Sequence, residues 1–244
     1  MVGFFFSGVF LGNVIALDRP PTWFTDLFTA IATLLAAYLG AHYAFRFSEK
    51  RAAERRAADE VSAGNQAIFN LIKAYNKFAA IHLQFIDPHR DSQYRAFEIL
   101  PTVGGLGGFE PESSKSIAFL LESDDPDILN ETARLESEII TTLELIQERS
   151  WIHRNEVQPG LEAANVSQGD ILREDDINEI LGERVVTTME MATDHMINGV
   201  ESVLEGCKSL IPRLHDALKK RHPEHVIISM EEVTSRDNPE RDQS

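Results

Sequence analysis

Between Trp23 and Phe45 the chain reads WFTDLFTAIATLLAAYLGAHYAF, 23 residues with one carboxylate, Asp26, and one histidine, His42. No lysine or arginine occurs between Arg19 and Arg46. Coiled as an α-helix, this stretch is about 34 Å long, enough to cross a hydrocarbon layer of about 30 Å. A backbone in lipid must satisfy its own hydrogen bonds, and a helix does so within one segment. Pro20 and Pro21 stop any helix arriving from upstream, and Thr22 is suited to cap a new one. Trp23, Phe24 and Phe28 gather at one end of the stretch and Tyr43, Phe45 and Phe47 at the other, the aromatic placement of an interface-anchored span. Residues 23–45 are therefore expected to form a transmembrane helix.

Charge orients it. Arg46, Lys50, Arg51, Arg55 and Arg56 follow the apolar stretch within eleven residues, whereas Arg19 is the sole cation before it. Cationic flanks resist translocation, so the expectation is a C-terminal part in the cytoplasm beneath the inner (plasma) membrane. A single cysteine, Cys207, excludes an internal disulfide and agrees with a reducing compartment. The leader, residues 1–22, is harder to place. Val2–Leu17 is apolar but only 16 residues long, with neither a basic start nor a small-x-small cleavage site. It reads as a short first membrane segment returning through residues 18–22, as an interfacial segment, or as a loose leader.

Inside the span Ala32, Ala36, Gly40 and Ala44 recur every four residues. Thr29, Thr33, Ala37 and Ala41 lie one row over. Small residues at this spacing let two helix backbones approach closely, so this face is expected to support self-association. Asp26 and His42 are its ionisable groups, and intramembrane ionisable residues raise a functional question by default.

The remainder is acidic. Of the chain's 23 cations and 39 anions, six and four lie in the first 56 residues, which leaves residues 57–244 with a net charge of −18. Such a body is repelled by nucleic-acid phosphates, so no nucleic-acid partner is expected. Its apolar spacing is helical throughout. Val61, Ile68, Ile72, Tyr75, Ala79, His82 and Ile86 step by sevens, fours and threes, with Leu71, Phe78 and Phe85 in an adjacent stripe. The basic stalk and first cytoplasmic helix are thus expected over 46–86, stopping before Pro88, with Gly64 as a weak point and Arg55–Asp59 and Arg56–Glu60 as intrahelical pairs. Residues 87–115, including GGLGG, read as a mobile connector; the glycines have no following Gly-Lys-Ser/Thr and so make no phosphate loop.

Further helices are expected across 116–222. Ser116–Glu122 is short and apolar, and Ser123-Asp124-Asp125-Pro126 signals a helix start. The next stripe, Ile128, Leu135, Ile139, Leu143 and Ile146, should run to about Arg154 and break at Gln158-Pro159-Gly160. A last helical region from about Asp170 carries Ile177, Leu181, Val185, Thr188, Ala192, His195, Val203 and Leu210, thinned by Gly182, Gly199 and Gly206 and kinked or restarted at Pro212. Residues 223–244 read as a polar disordered tail. No stretch alternates with period two. The expected class is all-α, with one membrane-crossing helix, or two if 2–17 also crosses, continuing into a cytoplasmic antiparallel helical bundle.

Chemistry is not signalled. The eight histidines form no Glu-x-x-His pair and no His-Glu-x-x-His, so no metal site and no cofactor are expected. His222 and His225 straddle Pro223 in the tail, and His82 and His195 fall on predicted core faces. Cys207 reads as a small packing residue, Asp175 and Asp176 as helix-start charges, and Trp151 and His153 as packing near a helix end. No Gly-x-Ser-x-Gly occurs and no catalytic residue is assigned, so the chain is expected not to be an enzyme. The functional expectation is a protein-interaction or scaffolding module on the membrane, with the bilayer, a second copy and an unidentified protein as partners. The alternative is an oligomeric, channel-like membrane effector.

Overall fold

A computed structural model describes residues 22–102, 116–122, 125, 127–166 and 173–230. The leader, the GGLGG segment, most of Ser123–Pro126 and the last fourteen residues lie outside this description. Among the described residues the fold is all-helical, without strands. Helix α1 runs Thr22–Ile81, followed by a π-helical turn at His82–Ile86, a 3-10 turn at Asp87–His89 and the four-residue α2 at Arg95–Glu98. A 3-10 turn at Ala118–Glu122 precedes α3, Ile128–Ile152, which passes through a second π turn, His153–Val157, into α4, Gln158–Ala163. Helices α5, Glu174–Leu181, and α6, Glu183–Arg221, complete the described order. The chain divides into two units, residues 1–56 and 57–244.

In the first unit, every described side chain of residues 23–56 is exposed. In the second, the apolar stripes read from the sequence face inward. Val61, Ile68, Leu71, Ile72 and Phe78 of α1, Leu135, Ile139 and Ile146 of α3, and Val203, Leu210 and Leu214 of α6 share one core. Helices α3 and α6 run in opposite directions: Arg213 bonds Asp125 and Glu131 near the start of α3, Ser202 bonds Glu138, and Thr193 bonds Arg149 near its end. The part of α1 within the second unit also opposes α6, with Glu60 on Arg221 at one end and His82, just past the helix, beside Glu201 at the other.

Three glycines that looked like weak points are close-approach positions. A Cβ at Gly64 would sit 2.5 Å from both Leu218 methyls, one at Gly199 2.8 Å from Thr142 Oγ1, and one at Gly206 2.7 Å from Leu135 Cδ1. The propensity cost of about 1 kcal/mol per glycine therefore allows helix axes to come together. Glu60, read from the sequence as a partner of Arg56, is held by Arg221 at 2.8 Å and by His222 Nε2 at 3.0 Å, and the Arg221 hydrogen bonds keep its carboxyl below the usual range.

Several expectations need correction. Part of the connector is ordered: Ala96, Ile99 and Pro101 are buried. The short apolar helix at 116–122 is a 3-10 turn, and α3 begins after Asp127. Gln158-Pro159-Gly160 does not end the helical path, because the π turn before it takes up the strain. In both π turns the residue before a proline donates five residues back, Asp87 N–H to His82 O and Gln158 N–H to His153 O. Widening the turn moves aside the carbonyl that the proline ring would strike. Helix α6 continues through Pro212. His195 and Thr188 are exposed, whereas Met189, Thr193 and Met196 are buried. Gly182, at φ 79°, separates α5 from α6 and resets the helical phase that the sequence stripe carried across it. The tail is not polar and loose at its start: Ile227 is buried in the main core.

Candidate functional site

Two features of this chain cost free energy in water or in a dry core and so call for explanation. The first is the apolar part of α1. Trp23, Phe28, Leu34, Tyr38, Tyr43 and Phe45 are each more than 60% exposed, whereas the apolar stripes of the second unit are covered. Helix α1 is, among the described residues, the one helix long and apolar enough to cross a membrane. Leaving such side chains in water forfeits roughly 1.5–3 kcal/mol each.

Its polar groups are accommodated locally. Thr29 Oγ1 donates to Thr25 O and Thr33 Oγ1 to Thr29 O, both at 2.8 Å, so neither hydroxyl needs water. His42 stacks on Tyr38 with ring centroids 6.2 Å apart and meets the edge of Tyr43. Asp26 is exposed near the helix start. Ala32, Ala36, Gly40 and Ala44 are exposed on the same helix, and nothing lies within 4 Å of a Cβ built on Gly40. Beyond the apolar stretch, Arg46, Lys50, Arg51, Arg55 and Arg56 are all exposed; Arg51 lies 4.3 Å over the Phe47 ring and Lys50 pairs with Glu54 at 3.9 Å.

The second feature is a buried polar grip that the sequence reading missed. Arg149 is 1% exposed, and it is held by carbonyl and hydroxyl oxygens rather than by a carboxylate. Its Nη2 donates to Ala96 O at 2.9 Å and Ile99 O at 2.5 Å, and its Nε to Thr193 Oγ1 at 2.9 Å. Those two carbonyls belong to the end of α2, where a helix leaves acceptors without intrahelical donors and its dipole favours a cation. Arg149 is thus a C-terminal cap supplied by another helix. Burial draws its pKa down to about 10, still charged at neutral pH.

Neighbouring residues extend the grip. Thr102 N–H donates to Ser150 Oγ at 3.2 Å, and His153 Nε2 lies 3.3 Å from Phe97 O. His153 is buried, and its Nδ1 has no hydrogen-bond partner. Burial lowers its pKa, the Phe97 carbonyl opposes that, and the Arg149 and Arg154 charges add to the lowering. A histidine kept neutral in the fold but free to charge when unfolded loses stability for the folded state as pH falls below its ordinary value of about 6.5. The melting temperature of the second unit should therefore drop between pH 7 and pH 5, and His153→Gln should shrink that drop in calorimetry. An identical pH slope in the variant would contradict the assignment.

The other sequence-named groups occupy structural places. Cys207 is fully buried, its thiol pushed up to about 12 by burial and then by Glu138, which suits packing. Trp151 is exposed, whereas His153 beside it is not. Asp176 accepts from the Arg173 N–H at 3.0 Å and closes the start of α5. Among the described residues no cluster of three His, Cys, Asp or Glu side chains is placed to hold a metal ion. A cavity of about 410 Å³ lies between Glu122, Asp125, Arg213 and Arg221, whose charges are paired across it. Comparison with protein-family models, with curated proteins and with solved structures finds no match to this chain.

Proposed function

We propose that this chain is a membrane-anchored scaffold. The apolar part of α1 spans the bilayer, the basic flank Arg46–Arg56 stays on the cytoplasmic side, and the acidic helical unit binds other proteins there as an antiparallel bundle. One observation carries the reading: the apolar side chains along residues 23–45 are exposed, while the unit that follows packs its apolar stripes into a core. Lipid is the solvent that removes the cost of that surface. The opposed directions of α3 and α6 support the bundle, and the small-residue row Ala32, Ala36, Gly40 and Ala44 supports pairing of two copies in the membrane.

The test is cysteine-free crosslinking in native membranes. A dimer band is expected for the wild-type chain and about a tenfold weaker band for Gly40→Ile, since a branched side chain forces the backbones apart. A strict monomer, or a dimer insensitive to Gly40→Ile, removes the pairing from this account. The alternative, a channel-like effector, draws on Asp26 and His42 as intramembrane ionisable groups. Dye influx on overexpression, abolished by Asp26→Ala, would replace the scaffold with it.

A further inference from the structure

After α6 ends at Arg221 the chain turns through residues 222–225 and runs extended across α1. The Lys219 ammonium fixes the turn, donating to Pro223 O at 3.0 Å and His225 O at 3.1 Å. Beyond the turn, a single side chain of α1 reads the extended backbone twice. Asn65 Nδ2 donates to Val226 O at 3.1 Å, and Ile228 N–H donates to Asn65 Oδ1 at 2.9 Å. Between those two contacts Ile227 is 5% exposed, buried in the core cluster that includes Val61, Ile68 and Leu218, while Val226 is 81% exposed.

This is how an extended peptide is recognised. An amide side chain replaces the neighbouring strand, satisfying one C=O and one N–H two residues apart without regard to sequence. Here Val226 is turned out to solvent and Ile227 is turned into the core, while Ile228 and Met230 rest half-buried against the same cluster, so Ile227 is the deepest aliphatic position of the segment. Three consecutive aliphatics in an otherwise polar tail supply that position here.

We propose that the surface of α1 around Asn65 is a docking site for an extended peptide bearing one β-branched aliphatic residue, occupied here by the chain's own Val226–Ile228 and opened to a partner's segment of the same chemistry. The occupant's release breaks both Asn65 hydrogen bonds and uncovers Ile227 together with the half-buried Ile228 and Met230, leaving the helices intact. Covalent attachment a few residues away keeps the internal segment at an effective concentration on the order of millimolar, so an outside peptide enters only when it displaces this strap. The inference goes beyond the scaffold reading and does not depend on membrane insertion.

A fluorescent peptide with the sequence of residues 224–230 is the probe, titrated against the full chain in detergent. It should bind the Ile227→Asp variant at least about tenfold more tightly than the wild type, whose site is filled. Adding Asn65→Ala should weaken that binding about tenfold. A peptide changed to Lys at the position of Val226 should bind equally, and one changed to Asp at the position of Ile227 should not. Should Ile227→Asp fail to fold, deuterium exchange on the wild type decides: saturating peptide should speed exchange at residues 226–230 and leave α6 unchanged. No binding to a folded Ile227→Asp chain, binding indifferent to Asn65, or unaltered exchange of the wild-type strap would each overturn the proposal.

Discussion

Arg149→Ala should lower the stability of the second unit by about 3–5 kcal/mol, the combined cost of a large core cavity and stranded acceptors. The side chain ties three elements together, reaching from α3 to the end of α2 and to Thr193 of α6. Truncation leaves the Ala96 and Ile99 carbonyls without their donor in a region where water does not reach. Removing a buried charge offsets part of this, since burial already disfavours the charged form. Arg149→Met separates the two effects. It restores most of the volume and none of the donors, so only part of the loss should return. Urea unfolding followed by circular dichroism reads both variants, and deuterium exchange should rise first at residues 96–102. A loss under about 1 kcal/mol for Arg149→Ala would mean that α2 is held by other contacts.

The double substitution Leu34→Arg, Leu35→Arg should shift the chain from the membrane to the aqueous fraction. Both positions lie midway along the exposed apolar stretch, and each arginine there opposes insertion by about 2.5–3.5 kcal/mol. Leu83→Arg and Trp151→Arg provide the control. Those side chains are 66% and 54% exposed in the second unit, so a charge there meets water already. Fractionation of cell lysates compares the two. Equal membrane retention of the Leu34/Leu35 variant and the controls would refute the lipid assignment of this segment.

What the sequence disclosed and what it concealed divide along physical lines. The face of α1 from Val61 to Ala79 was legible because one unbroken helix keeps its phase, and those apolar side chains are buried or half-buried. The phase failed at His195, where left-handed Gly182 restarts the count between α5 and α6. Gly64 reads as a defect until its neighbour is known, because close approach is a property of two helices and the sequence shows one at a time. Arg149 was passed over on residue type, and His153 was read only as packing near a helix end. Their spacing held the signal: they follow Ile146 by three and seven residues, on the stripe that buries Leu135 and Ile139. Residues 226–228 were too few for any periodicity, and their backbone is held by Asn65, more than 160 residues earlier.

Alkaline carbonate extraction of membranes from cells making the full chain asks whether lipid solvates residues 23–45. Carbonate strips proteins held by charge or by other proteins and leaves those whose side chains are solvated by acyl chains. A spanning α1 keeps the protein in the pellet until detergent releases it. Recovery in the carbonate supernatant would contradict insertion.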